Sequence, residues 1–154
     1  MSAGDITFRA ARRDDLPAIV ALLADDAVNG HREHPGEPLA RGYLAAFAAI
    51  VGDANNALFV GEQDGQVIAT AQVTIVPTLV AQGAARAIVE GVRVSSKLRS
   101  HGIGEKLLAF CEDFARSRGA GSLQLTTSMA RVDAHRFYDR IGYAHSHKGF
   151  KRAL

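Results

Sequence analysis

The strongest constraint in this sequence is a short glycine-bearing loop, Arg99–Gly104, which reads Arg-Ser-His-Gly-Ile-Gly. An apolar run, Ala87–Val94, precedes the loop, and an amphipathic stretch that begins near Gly104 follows it. This order predicts a strand, a loop and a helix. Amides at a helix N-terminus are unpaired, the helix dipole adds partial positive charge, and glycine lets the backbone approach an anion closely. The sequence therefore predicts a binding site for the pyrophosphate of a phosphorylated cofactor.

Length and composition predict one globular domain with its own core, since the chain has 154 residues and 47% hydrophobic content. A net charge of +2 and the absence of a Lys/Arg tract argue against nucleic-acid binding. No apolar stretch reaches the ~18 residues of a membrane span, and the segment Met1–Asp5 lacks the features of a signal peptide. The single cysteine, Cys111, cannot form an internal disulfide. We therefore expect a cytoplasmic protein.

The first half of the chain alternates predicted helices and strands. Ile6–Arg9 predicts a first strand, and Asp14 and Asp15 offer an N-cap for a helix with Pro17 in its first turn. The apolar residues of that helix recur at helical spacing and should face the core: Leu16, Ile19, Val20 and Leu23. The elements after it are a loop over His31–Pro38, a helix over Leu39–Ile50, a strand over Asn56–Gln63, a hairpin turn at Asp64–Gly65 and a strand over Gln66–Val76.

The second half continues the alternation. The elements are a connection at Gln82–Ala84, a strand over Ala85–Val94, the helix after the glycine loop, a strand over Ser122–Thr127, a helix over Ala134–Ile141 and a final strand pair over Tyr143–Ala153. The helix after the loop should present one apolar stripe: Ile103, Leu107, Leu108, Cys111 and Phe114. Gly119 and Gly142 are natural stops for the two helices. The order β-α-α-β-β-β-α-β-α-β predicts a mixed α/β domain whose helices cover an open sheet.

The glycine loop alone does not identify the cofactor, and an ordinary turn remains an alternative interpretation. A Walker loop requires G-x-x-x-x-G-K-[ST], which the sequence lacks. A dinucleotide fold requires G-x-G-x-x-G in an early βαβ unit, whereas this loop follows hairpins past mid-chain. A kinase requires a longer chain and several further motifs. None of these three cofactor classes fits.

A second segment, Asp133–Tyr143 (Asp-Ala-His-Arg-Phe-Tyr-Asp-Arg-Ile-Gly-Tyr), narrows the choice. Together with the Arg99-x-x-Gly102-x-Gly104 loop, it resembles the GNAT superfamily of N-acetyltransferases. The resemblance covers nearly the whole chain in element order and is most specific from about Ile88 to Tyr143. It implies one acetyltransferase domain over residues 1–154. The implied fold is a mostly antiparallel central sheet, splayed at the cofactor site and flanked by helices.

The resemblance also implies roles for individual residues. Amides of the Gly102–Gly104 loop would bind the pyrophosphate of acetyl-CoA, and the strand Glu90–Val94 would bulge to receive the pantetheine arm. The amide of Val92 would polarise the thioester carbonyl, and Tyr138 would protonate the departing thiolate. Where many members have Asn, this chain has Arg131, so that cofactor contact is not carried over. The implied cofactor-binding residues are Val92, Arg93, Val94, Arg99, Ser100, His101, Gly102, Ile103 and Gly104.

The chemistry requires a base, and Glu90 is the best candidate because it lies in an otherwise apolar strand. Strand alternation would place it on one face with Ile88, Val92 and Val94, except where a bulge shifts the pattern. An ion pair with Arg86 or Arg93, or a solvated strand end, is the structural alternative. For Tyr138 the alternative is a core aromatic, and for His135 it is a polar residue on the helix face.

Several arginines suggest an acceptor amine that also carries an anionic group: Arg32, Arg41, Arg86, Arg93 and Arg131. The loop His31–Pro38 and the segment Pro77–Ala85 would form the walls of the acceptor pocket. The closing segment, with His145, His147 and Lys151, is locally similar to aminoalkylphosphonate N-acetyltransferases.

Two other functions stay open, a protein lysine or N-terminal acetyltransferase and a non-catalytic acyl-CoA sensor. We expect no metal site, packing rather than catalysis for Cys111, and a homodimer through the last strands as the resemblance implies.

Overall fold

The computed structural model describes residues 4–154, so residues 1–3 of the N-terminal segment considered above lie outside the described residues. Its strands are β1 (Thr7–Ala10), β2 (Asn56–Gln63), β3 (Gln66–Val76), β4 (Ala85–Val94) and β5 (Ala120–Gln124). Its α-helices are α1 (Leu16–Ala24), α2 (Arg41–Val51), α3 (Val80–Gly83), α4 (Ile103–Ser117) and α5 (Val132–Arg140). Short 3-10 turns cover Arg13–Asp15, Gly30–Arg32 and Ser96–Leu98. The chain divides into two compact units, one up to Gln124 and one from Leu125 to Leu154.

The first unit contains a five-stranded sheet in the order β1-β2-β3-β4-β5. Neighbours from β1 to β4 are antiparallel, and β5 runs parallel to β4. This confirms the predicted mixed, mostly antiparallel open sheet. The turn between β2 and β3 has left-handed φ values at both central residues, +51° at Asp64 and +75° at Gly65. Such a turn matches the twist of a two-residue hairpin, as the Asp-Gly pair predicts.

Helix α4 covers one face of this sheet. The ring of Phe59 on β2 lies 5.0 Å from the rings of both Phe110 and Phe114 of α4. The predicted apolar stripe is confirmed, because Leu107 and Cys111 are buried and Phe114 packs on Phe59. The buried residues of the sheet that share the Phe59 face include Ala71 and Val73 by register and alternation.

Helix α1 buries Leu16, Ile19 and Val20 as predicted, while Leu22 is more buried than the predicted Leu23. Asp15 lies at the N-cap of α1, one of the two positions predicted, but its side chain makes no capping hydrogen bond to the helix. The Asp15 carboxylate accepts hydrogen bonds from the backbone N–H of Arg12 (2.7 Å) and from the Arg9 guanidinium (2.7 and 3.0 Å). Arg9 also binds Glu62 at 2.6 Å. The carboxylate is therefore used to join β1, β2 and the start of α1, where a charged partner outcompetes the helix amides.

The predicted final strand pair over Tyr143–Ala153 is also wrong, since residues 143–154 contain no strand and residues 144–154 are exposed. A strand requires a hydrogen-bonding partner, which the sequence pattern of one segment cannot supply. The dimer expected through those strands therefore stays a prediction. The strand expected at Ser122–Thr127 is β5, at Ala120–Gln124. Within residues 4–154, no helix has the length and apolar content needed to cross a membrane.

The Asp15 network predicts a pH-dependent stability. The Arg9 guanidinium lowers the pKa of Asp15 in the folded state, so its contribution is complete above the unfolded pKa of about 4 and is lost as the pH falls through the folded value. We expect Asp15→Asn to lower the free energy of unfolding at pH 7 by about 1–3 kcal/mol. Chemical denaturation between pH 2 and 7 should show a flatter acid slope for this variant than for the wild type.

The matched control is Asp14→Asn, which removes the charge of an exposed neighbour. It should keep both the stability and the acid slope of the wild type. Equal acid slopes for Asp15→Asn and the wild type would contradict the assignment.

Candidate active site

A β-bulge interrupts the pairing of β3 with β4. Arg93 pairs with Thr70 and Glu90 pairs with Gln72, so two residues of β4, Gly91 and Val92, lie opposite one residue of β3. Gly91 has a left-handed φ of +62°, which glycine adopts without the steric penalty of a side chain. The bulge predicted in this strand is therefore present.

The bulge changes which side chains share a face of the sheet. Residues that pair across strands point to the same side, so Arg93, opposite Thr70, lies on the face of Glu90, opposite Gln72. Val94 pairs with Ala69 and lies on the opposite face. Simple alternation would have placed Val94 with Glu90. The extra residue instead places Arg93 on the same face of the sheet as Glu90.

The sheet is open beside the bulge. The pairing of β5 with β4 runs from Ala85↔Ala120 to Ile88↔Gln124. In the described part of the chain, β4 then continues through Glu90 to Val94 without β5 alongside. A strand edge of this kind can pair with an extended ligand through backbone hydrogen bonds. The pairing of β4 with β5 therefore ends before the bulge, which is consistent with the splayed sheet that the family resemblance implies.

Glu90 is exposed at the bulge. One predicted alternative was an ion pair with Arg86 or Arg93, but Arg93 lies 3.1 Å from the carboxylate of Asp26 instead. The other alternative, a solvated position on the strand, agrees with the exposure of Glu90. Among residues 4–154, the Glu90 side chain has no hydrogen-bond or ion-pair partner. Its carboxylate is thus accessible to a substrate or a water molecule.

The glycine loop leads from β4 into α4. Gly102 is the N-cap of α4, with a left-handed φ of +75°, and its carbonyl accepts the amide of Lys106 at 3.2 Å. Helix geometry leaves the amides of its first turn without intrahelical partners, and within residues 4–154 the N-cap supplies no side-chain hydrogen bond to them. A Cβ built on Gly102 would meet nothing within 4 Å. The loop therefore offers unpaired donors and open space, which fits a pyrophosphate.

Two side chains of the glycine loop make hydrogen bonds to backbone carbonyl groups of this protein. The Arg99 guanidinium donates to the carbonyl of Asp25 at 2.8 Å, and His101 Nδ1 lies 2.8 Å from the carbonyl oxygen of Arg99. Ser100 adopts a left-handed φ of +66°. Arg99, predicted to offset phosphate charge, therefore also ties the loop to the end of α1.

Two functional candidates were missed by the sequence reasoning, Asp25 and Asp26. The Asp25 carboxylate accepts the amide of Ser96 at 2.8 Å, and this hydrogen bond lowers the pKa of Asp25. Asp26 binds Arg93, which also donates to the carbonyl of Val92 at 2.8 Å. The sequence did contain a signal for these two residues. Carboxylates at the C-terminal end of a helix are unfavourable next to the negative end of the helix dipole, so their presence there indicates specific partners.

The second unit contains Tyr138 on α5. Its half-buried ring lies 5.1 Å from the Phe137 ring and 5.8 Å from the Tyr143 ring, so the aromatic packing given as its alternative role is present. His135 Nε2 lies 2.9 Å from the carbonyl of Ser128, which supports the structural interpretation of this histidine. Arg131 lies at the N-cap of α5.

Two further sequence expectations concern Cys111 and metal binding. Burial raises the pKa of the Cys111 thiol to about 12, so the side chain packs and is a poor nucleophile at neutral pH. Within residues 4–154, His, Cys, Asp and Glu side chains form no group of three or more that could hold a metal ion.

Comparison with known proteins identifies the family. The model of the acetyltransferase (GNAT) family matches residues 16–143, a range that runs through both units, and the chain belongs to this family. Acetyl-CoA is the cosubstrate of the family, as predicted.

Two relatives match parts of the sequence. The chain is 44% identical over 66 residues to an aminoalkylphosphonate N-acetyltransferase of Salmonella typhimurium, and this stretch covers 43% of each chain. It is 39% identical over 59 residues to a streptothricin acetyltransferase of Streptomyces lavendulae, and this stretch covers 38% of this chain and 31% of that protein. The matched stretches span less than half the length of these relatives.

Solved structures share the fold. A crystal structure described as a transcriptional regulator from Bacillus halodurans C-125 matches with a TM-score of 0.94 at 40% identity, over 97% of this chain and 100% of that chain. An aminoglycoside N-acetyltransferase in complex with CoA matches with a TM-score of 0.81 at 18% identity, over 100% and 98%. The second likeness shows the fold alone.

The left-handed backbone of the bulge leads to a stability prediction. We expect Gly91→Ala to lower the free energy of unfolding by roughly 1–2 kcal/mol, because a Cβ is disfavoured at φ +62°. Gly42→Ala is the matched control, since Gly42 lies in α2 and a Cβ added there would meet nothing within 4 Å. It should be neutral or stabilising by about 0.5–1 kcal/mol. Urea denaturation measures both, and equal effects of the two substitutions would contradict the role of the bulge.

Proposed function

We propose that this chain is an acetyl-CoA-dependent N-acetyltransferase that acetylates the primary amine of a small anionic molecule by direct attack in a ternary complex. The observation that carries the proposal is the bulge at Gly91–Val92. It lies beside the exposed carboxylate of Glu90, past the point where β5 stops pairing with β4 and one loop before the start of α4. Residues 1–154 would act as a single domain, since the family match runs through both units.

The cofactor would be held by backbone groups more than by side chains. The unpaired amides at the start of α4 would bind the pyrophosphate, and the open edge of β4 would pair with the pantetheine arm. Arg99 lies in the loop and adds positive charge near the phosphates. The proposed cofactor-binding residues are Val92, Arg93, Val94, Arg99, Ser100, His101, Gly102, Ile103 and Gly104.

Acetyl-CoA, when bound, supplies the acetyl thioester. Glu90 would accept the proton that the amine must lose, directly or through water. The amide of Val92 would donate a hydrogen bond to the carbonyl oxygen as negative charge develops on it. Tyr138 would donate a proton to the departing thiolate, a role assigned by its position in the family motif.

The acceptor class rests on charge and on one relative. Arg32, Arg41 and Arg86 are exposed cations, whereas Arg93 is engaged by Asp26 and is less available to a substrate. The relative from Salmonella typhimurium is named for aminoalkylphosphonates, which are amines with an anionic group. These observations favour an amine that carries a phosphonate, phosphate or carboxylate.

The predicted pocket wall after α1 is held in place by Tyr43. Its hydroxyl donates to Glu33 at 2.7 Å and accepts the amide of His34 at 3.0 Å. The hydrogen bond to the Glu33 carboxylate raises the pKa of Tyr43. The Tyr43 side chain thus connects the predicted wall to α2.

A second candidate function is a non-catalytic acyl-CoA sensor. The observation that favours it is the 40% identity to a protein described as a transcriptional regulator. A sensor requires neither a base nor an acid, so substitution of Glu90 and Tyr138 separates the two functions.

We expect Glu90→Gln and Tyr138→Phe each to lower kcat by about 10²–10⁴, the usual contribution of acid–base catalysis, with acetyl-CoA binding nearly unchanged. Steady-state release of free thiol and calorimetric titration measure the two quantities. Glu112→Gln and Tyr143→Phe are the matched controls and should keep wild-type rates. The sensor would be favoured if the wild-type chain bound acetyl-CoA and neither Glu90→Gln nor Tyr138→Phe changed the rate of thiol release or the binding of acetyl-CoA.

The acceptor proposal predicts a ranking of amines. In an assay of aminoalkylphosphonates, amino acids, polyamines, aminoglycosides and lysine peptides, we expect turnover with the anionic amines. Charge complementarity to the exposed arginines is the physical reason. Turnover confined to polycationic amines would contradict the acceptor class, and turnover confined to peptides would indicate a protein acetyltransferase.

A further inference from the structure

The end of α1 contacts the bulge and the glycine loop through two consecutive residues. We propose that Asp25 and Asp26 are positioning residues with separate tasks, in which Asp25 holds the cofactor loop and Asp26 holds the bulge that acts on the thioester. This inference rests on the proposed function. It is argued from the hydrogen bonds of each residue, since Asp25 accepts the amide of Ser96 and Asp26 pairs with Arg93 although the two residues are adjacent.

Asp25 contacts the segment between β4 and α4 twice, once in the 3-10 turn and once in the glycine loop. Its carboxylate accepts the amide of Ser96 at 2.8 Å, in the turn just after β4, and its carbonyl accepts the guanidinium of Arg99 at 2.8 Å. The carbonyl of Arg99 in turn lies 2.8 Å from His101 Nδ1, next to the N-cap Gly102. A chain of hydrogen bonds therefore runs from the end of α1 to the start of α4. This chain sets the direction of the amides proposed to bind the pyrophosphate.

Asp26 contacts the bulge instead. Its side chain is only 4% exposed and lies 3.1 Å from the guanidinium of Arg93, which is 21% exposed. The same guanidinium donates to the carbonyl of Val92 at 2.8 Å. Because charged hydrogen bonds are stronger away from water, this pair restrains the backbone at Val92. The residue restrained in this way is the one whose amide is proposed to polarise the thioester.

Helix stability does not explain the two carboxylates. The C-terminal end of a helix carries partial negative charge, so acidic residues there are unfavourable. Asp26 also accepts the amide of Val28 at 3.1 Å, and its carbonyl accepts that of Gly30 at 2.9 Å. These hydrogen bonds orient Asp26 toward Arg93. They lie just before the loop His31–Pro38, which is proposed as a wall of the acceptor pocket. Both aspartates therefore compensate an unfavourable position by contacts to the proposed site.

The two tasks predict different kinetic signatures. In the full chain, we expect Asp25→Ala to weaken binding of coenzyme A and to raise the KM for acetyl-CoA, each by about tenfold, with kcat within about twofold of the wild type. We expect Asp26→Ala to lower kcat by about tenfold and to keep coenzyme A binding within about twofold. Calorimetry with coenzyme A itself and steady-state kinetics measure this split.

The conservative variants sharpen the test. Asp25→Asn should restore coenzyme A binding, because an amide oxygen still accepts the Ser96 amide. Asp26→Asn should restore part of kcat, because it keeps an acceptor but loses the charge opposite Arg93. If an alanine variant fails to fold, the asparagine variant at that position is compared with the wild type instead. Asp14→Ala, the removal of an exposed carboxylate before α1, should match the wild type in both quantities.

The outcomes separate this inference from the proposed function. Suppose that the wild-type chain binds coenzyme A and turns over. The inference alone would be overturned if the Asp25 and Asp26 variants changed binding and kcat in the same ratio, or changed only thermal stability. A wild-type chain that neither binds coenzyme A nor releases thiol from acetyl-CoA would overturn the proposed function and this inference with it.

Discussion

The geometry of the candidate site depends on one backbone feature, the pairing of Gly91 and Val92 of β4 against a single residue of β3. A left-handed φ at Gly91 makes this possible, and any side chain at that position would oppose it. The extra residue interrupts strand alternation, so that Arg93 joins the face of Glu90. The pairing of β4 with β5 ends at Ile88, so β5 does not pair with the segment that carries the bulge. The proposed base, the bulged amide and the part of β4 that β5 does not pair with thus come from five consecutive residues.

Helix α1 contributes to the proposed site through its C-terminal end. Its apolar residues are buried in the core. Asp25 and Asp26 then reach Ser96 and Arg93, on either side of the β4 terminus. Burial of the hydrophobic face and charge pairing at the helix end therefore serve different purposes. The first stabilises the fold, and the second orients the backbone of the strand and the loop.

Local sequence signals predicted the central hairpins well. The bounds predicted for β2, β3 and β4 are the observed ones, because alternating apolar residues and the Asp64–Gly65 turn act over short distances. Expectations that needed a distant partner failed. The tail after Tyr143 alternates weakly and forms no strand, and Asp15 binds Arg9 rather than the helix amides. Both errors arose because competition between distant partners decides hydrogen bonding.

The sequence by itself determined the family, the order of strands and helices up to α5 apart from the short turn α3, and the glycine loop with its helix, since these depend on residue type and local spacing. It also singled out Glu90, as a carboxylate in an otherwise apolar strand, and Tyr138, through its position in the family motif. The tertiary structure alone decided the direction of Arg93 and the partners of Asp25 and Asp26. The reason is physical, because a one-residue shift in strand register turns a side chain to the other face, and register is set between strands rather than within one.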